Sequence, residues 1–97
     1  MKSYRLSDKA VADLRNISRY TNIEFGPAQA RAYLTALKEI IFQLATQPRM
    51  AQPVSEIRTG YRRYLFQQHA IYFSEQEYGI YVVRILHQQM RVDLHIS

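Results

Sequence analysis

The sequence predicts an α+β fold of order β-α-α-β-β-β, with a helix hairpin packed on one face of a small, twisted, mainly antiparallel sheet. Three observations predict it. Two apolar stripes of helical period meet at Gly26-Pro27. After Gly60 the chain changes to short runs dense in Tyr, Phe, Val and Ile. Its 97 residues, 47% hydrophobic and 22% charged, suit one domain spanning 1–97, with no room for a second core.

The opening Lys2-Ser3-Tyr4-Arg5-Leu6 alternates polar and apolar side chains, the period of a half-buried strand. Ser7 or Asp8 can then cap a helix, because either side chain can accept a bond from an orphan backbone N–H. Val11, Leu14, Ile17 and Thr21 follow at helical spacing. Near Phe25-Gly26 this helix should end, with glycine supplying the left-handed conformation past the last turn. Pro27 suits the first turn of the next helix, where no N–H is needed. Ala30, Tyr33, Leu34, Leu37, Ile40, Ile41 and Leu44 then form an unbroken apolar stripe that Pro48 ends. The tight joint makes the two helices an antiparallel hairpin.

Residues 49–60, with Pro53 and few large apolar groups, read as a surface loop. Strands are expected at Tyr61–Phe66, Ala70–Ser74 and Ile80–Leu86, separated by turns at Gln67-Gln68 and Glu75–Gly79. The two-helix connection returns the chain to the end of the sheet it left, so no β-α-β crossover is needed and the last three strands form a meander. Alternation in the last strand sets Tyr81, Val83 and Ile85 against the helices. Val82 and Arg84 then fall on the open, concave side, within reach of His87. The remaining residues read as a helical turn and a tail.

Composition limits the chemistry. There is no cysteine, hence no disulfide framework and no thiolate metal site. Neither a signal peptide nor a membrane-length apolar run is present, and a soluble protein of a reducing cytoplasm is expected. Net charge is +5, and the excess lies largely outside the helices. The basic residues of the second half are all arginine, whose planar fork grips carboxylates and phosphates. Arg58, Arg62 and Arg63 stand within six positions and run into Tyr64, a pattern that suits an acidic partner segment or a nucleic acid. His69, His87 and His95 have no metal-ligand spacing, and no phosphate loop or nucleophile triad occurs. No metal and no cofactor are expected.

Several features together resemble the ParE toxins of the ParE/RelE superfamily. They are Tyr4-Arg5-Leu6-Ser7 running into a helix, Tyr33-Leu34-x-x-Leu37 in the second helix, and Gly60-Tyr61-Arg62 opening the meander. They continue with His69-Ala70-Ile71-Tyr72-Phe73 and the closing Val83-Arg84-Ile85-Leu86-His87-Gln88-Gln89-Met90. The resemblance spans nearly the whole chain. It implies the toxin half of a bacterial type II toxin–antitoxin system, neutralised by a ParD-like antitoxin with an acidic tail and acting on DNA gyrase to block replication. Direct DNA binding without the antitoxin is not implied.

Relatives commonly carry an arginine where Gln89 stands and a Met-Asp pair where this chain has Met90-Arg91. RelE-type cousins are ribosome-dependent messenger RNA endonucleases, and only Arg84 and His87 stand at positions matching their functional residues. Arg84 and His87 are therefore catalytic candidates under that alternative alone. A third reading is a decayed toxin that retains only antitoxin binding. The residues expected to bind antitoxin or target are Arg58, Arg62, Arg63, Tyr64, Arg84, His87 and Arg91.

Overall fold

The computed structural model describes residues 2–96. Strand β1 (Ser3–Leu6) leads into helix α1 (Asp8–Phe25), followed by helix α2 (Pro27–Thr46) and a 3-10 turn at Pro48–Met50. Strands β2 (Gln52–Pro53), β3 (Tyr61–Phe66), β4 (His69–Gln76) and β5 (Gly79–His87) follow, and a second 3-10 turn spans Val92–Leu94. The five strands make one sheet of order β1-β5-β4-β3-β2.

Ser7 caps α1: its hydroxyl accepts a bond from the Ala10 N–H at 2.9 Å and donates to the Val83 carbonyl at 2.6 Å. Gly26 has the positive φ expected of a helix stop, but its ψ of 167° is extended rather than left-handed helical. That combination turns the chain straight into α2, with Pro27 at the first helical position.

The segment expected as a loop is partly ordered and buried. Val54 is fully buried and Ala51 nearly so, and Gln52-Pro53 pairs antiparallel with Arg62-Arg63. This short strand changes the topology. It runs antiparallel to β3, and the 51–60 segment that contains it adds one reversal of direction before β3 begins. As a result β1 runs parallel to β5, the one parallel pair in a sheet otherwise antiparallel.

Both sheet faces are covered. Facing the helices, Ile71, Phe73, Ile80, Val82 and Ile85 pack against Ala10, Ile17, Leu37, Ile41 and Leu44. Each such large side chain stabilises the fold by about 1.5–3 kcal/mol on full burial. On the other face Val54, Ala70, Tyr72, Leu86 and Ile96 form a second cluster, with Ile57, Tyr61 and Val92 packed against it. The side expected to be open is thus partly roofed by the 54–61 segment and the C-terminal residues.

The facing of β5 differs from simple alternation. Phe73 pairs with Val82 while Tyr72 pairs with Arg84, which leaves Val83 as an extra, bulged residue. The bulge resets parity. Val82 and Ile80 face the helices, and so does Ile85 beyond the bulge. Tyr81, expected inside, is exposed.

Candidate functional site

Strand β1 stops at Leu6, so β5 loses its parallel neighbour after Val82. Helix α1 takes over that edge with side chains. Asp13 Oδ2 accepts the Ile85 backbone N–H at 2.9 Å. The same carboxylate grips Arg84 through Nε at 2.8 Å and Nη2 at 2.9 Å, while Arg84 Nη1 donates to the His95 carbonyl at 3.0 Å. The two side chains are 14% and 11% exposed. This bidentate bond is the main reason the Arg84 pKa is raised, against an opposing effect of burial. Arg84 therefore fastens helix, strand and tail together.

His87, expected to reach the face of Arg84 from the end of the strand, does not share it: three positions on, it has the opposite parity. Beyond the bulge it stands with Ile85 on the helix side, directly across from His69 on β4. The two imidazoles lie 5.6 Å apart, edge to face. From α2 the Tyr33 hydroxyl sits 2.7 Å from His69 Nδ1, and its ring stacks obliquely on Phe66 at 5.7 Å. Burial, with the neighbouring His87, lowers the His69 pKa to about 4, and Asp13 opposes the shift weakly. Burial also raises the Tyr33 pKa.

Around these rings run two adjoining hollows of about 480 and 290 Å³, which share Tyr20, His69 and His87. Their rim carries large apolar groups in contact with solvent: Tyr20 is 61% exposed, Phe25 68% and Met90 49%. Patches of this kind on a small protein mark interaction surfaces.

The pleat separates the arginines of β3. Arg62 faces the helix side, where it bonds Glu75 at 3.1 Å and the Ala51 carbonyl at 2.8 Å, pinning β2 to the sheet. Arg63 faces the other way, opposite Tyr72, is half-buried and forms no ion pair among the described residues. Tyr64 packs on the helix-side core. Arg58 is exposed, with its guanidinium 5.8 Å from the Tyr61 ring. It shares a hollow of about 220 Å³ with Lys9, Arg84 and His95. Arg91 pairs with Asp93 at 2.7 Å on the open surface. Apart from Arg91, the expected site residues thus fall in two places. Arg58, Arg63 and Arg84 lie on the face away from the helices, and Arg62, Tyr64 and His87 on the helix side.

Sequence reading overlooked a further surface on the outside of the hairpin. Between α1 and α2 runs a groove of about 510 Å³, floored by Val11, Leu14, Ala30 and Leu34 and flanked by Arg15, Arg31 and Lys38. No acidic residue lines it. The signal was present as half-buried apolar residues beside cations on the two helices, masked by the near-neutral charge of the hairpin taken whole. Asp13, His69 and Tyr33 were also overlooked, because their partners lie 71 and 36 positions away in sequence.

Among the described residues no cluster of three or more His, Cys, Asp or Glu could hold a metal ion, and no helix is long and apolar enough to cross a membrane. The sequence profile of the ParE toxin of type II toxin–antitoxin systems (parDE) matches residues 4–92. A Caulobacter vibrioides protein named Toxin ParE1 is 36% identical over 97 residues, covering all of both chains. A Mycobacterium tuberculosis protein of the same name is 38% identical over 94 residues, 96% of each chain. Among solved structures, a chain from a chromosomal ParDE system of P. aeruginosa superposes with a TM-score of 0.76 at 21% identity. The match covers 90% of this chain and 96% of that one, and it shows the shared fold.

Proposed function

This chain belongs to the ParE toxin family of type II toxin–antitoxin systems, and from that premise we propose that it inhibits DNA gyrase by binding, acts in the cytoplasm, and is silenced by a ParD-like antitoxin. The observation that carries the binding reading is the division of Arg84 from His87. A ribonuclease of the related type needs a phosphate-stabilising cation and an acid–base group converging on one substrate. Here Arg84 is held by Asp13 and the His95 carbonyl, while His87 stands on the other side of the sheet. The geometry supports a surface that grips a partner.

The antitoxin contact is proposed to be acidic and amphipathic. Three cations over an apolar floor, with no acid among the lining residues, complement a helix carrying carboxylates along one side. A second copy of this chain would bring the same cations against each other and is disfavoured there. The antitoxin segment is disordered alone and folds on this groove, and its acidic tail continues to Arg58 and Arg63. Arg63→Glu should weaken the complex about tenfold, on the scale of one charge-assisted contact, and lessen its salt sensitivity. An unchanged affinity at low salt removes Arg63 from the interface.

Function is tested by inducing the chain with and without its neighbouring gene. Blocked replication with a DNA-damage response, relieved by the antitoxin, is expected. Purified protein should impair gyrase supercoiling and leave RNA intact. Codon-positioned cleavage of messenger on ribosomes would replace the gyrase reading with the nuclease one.

A further inference from the structure

We propose that His69, His87 and Met90 form a binding site for monovalent copper. The three residues are scattered in sequence, and the fold gathers them. Antiparallel pairing sets His69 directly opposite His87, with their rings 5.6 Å apart. Immediately after β5 the chain folds back, the Met90 N–H donating to the His87 carbonyl at 2.9 Å. His69, His87 and Met90 thereby line one hollow of about 480 Å³, walled by Tyr20 and Ile17. Two imidazoles and a thioether meet in a partly apolar recess.

The donor set selects the ion. Monovalent copper is a soft, closed-shell cation that accepts thioether and imidazole ligands and low coordination numbers. Harder divalent ions favour anionic oxygen ligands, and the one carboxylate lining the hollow is Asp13, the other oxygens there being the neutral ones of Asn16, Gln89 and Tyr20. Both Asp13 oxygens are already taken by Arg84 and by the Ile85 N–H. The chain has no cysteine to compete for a soft ion. Tyr33, 2.7 Å from His69 Nδ1, orients that ring by the outer hydrogen bond typical of metal-ligating histidines and leaves Nε2 for the ion. His87 Nδ1 accepts only a long 3.2 Å bond from the Gln89 N–H, which ligation through that atom would displace. Met90, 49% exposed, gives the ion a way in.

Bound copper would tie the 88–90 turn to β4. The site does not rest on the gyrase reading, and its test needs no toxicity assay. The 97-residue chain is titrated anaerobically, under ascorbate, against copper held by the chromophoric chelator bicinchoninate. One equivalent should be withdrawn. Met90→Leu, at an exposed position where folding is safe, should weaken binding by at least about tenfold, and His87→Gln should abolish it. Met50→Leu, outside the recess, should bind as the parent does. X-ray absorption of the loaded protein should show a sulfur neighbour that Met90→Leu removes. No withdrawal of copper overturns the proposal. So does binding unaffected by Met90→Leu, or displacement of the copper by an equivalent of zinc.

Discussion

The two halves of β5 are built differently. Before the bulge, Gly79–Val82 is flanked by β1 and β4, and backbone hydrogen bonds hold it on both edges. After the bulge, Arg84–His87 keeps β4 on one side, but the other edge is held by side chains of Ser7 and Asp13. The first half contributes Ile80 and Val82 to the core, both fully buried. The second carries Arg84 and His87, the residues with chemistry. A strand edge closed by another strand admits little but packing. An edge closed by a helix can present charges and rings to the surroundings, because a helix supplies only a few specific partners and leaves recesses between them.

The largest effect should come from the first half. Gly79 has φ +141°, and a Cβ there would come within 1.7 Å of the Ser3 carbonyl oxygen. Gly79→Ala should destabilise the fold by on the order of 4 kcal/mol, the sum of backbone strain and overpacking. Urea unfolding measures it, and a loss below about 1 kcal/mol would mean that β1 shifts freely, contrary to a locked edge.

In the second half the corresponding weak point is the ion pair. Arg84→Ala leaves the Asp13 carboxylate buried and without its guanidinium partner, and should cost about 3 kcal/mol. Asp13→Asn should cost less, since the amide can still contact the Ile85 edge. Should both variants melt with the parent, the helix closure of this edge contributes nothing.

Acid should act beside the second half, through His69 on β4, directly across from His87. The His69 pKa falls from an ordinary 6.5 to about 4 on folding, so the native state binds fewer protons than the unfolded chain. This contribution to stability is complete above pH 6.5 and is lost as pH falls towards about 4. Melting temperature should therefore decline across that window, and His69→Gln should decline less steeply. Parallel pH profiles for the two proteins would show that the imidazole does not titrate with folding.

The smallest effect belongs to Arg91. Its bond to Asp93 is as short as the Arg84 contacts, at 2.7 Å, but the side chains are 70% and 60% exposed. Solvent screens such pairs, and Arg91→Ala should leave the unfolding midpoint unchanged within error. Short distance is shared by the two arginines; burial separates them.

Much of the fold was legible because its signals are local. The stripe from Ala30 to Leu44, the Gly26-Pro27 joint and the aromatic run Tyr61–Phe66 each declare their element within a few residues. The two-residue strand Gln52-Pro53 was not legible: it is too short for a period and is held by distant contacts, among them the bond from Arg62 to the Ala51 carbonyl. That omission hid the parallel pairing of β1 with β5.

The sequence by itself determined the element types, their order and the apolar faces of the helices, since periodicity and turn chemistry are properties of neighbouring residues. It also marked Arg84 and His87 as residues of interest. Only the tertiary structure decided which way they face. One bulged residue, Val83, reverses the expected facing of Tyr81 and Val82 while leaving Arg84 and Ile85 as alternation placed them, and nothing local to Val82-Val83-Arg84 announces it. The pairing of Asp13 with Arg84 and of His69 with His87 was decided the same way. Side chains 71 and 18 positions apart meet through strand register and helix placement, which the whole chain fixes at once.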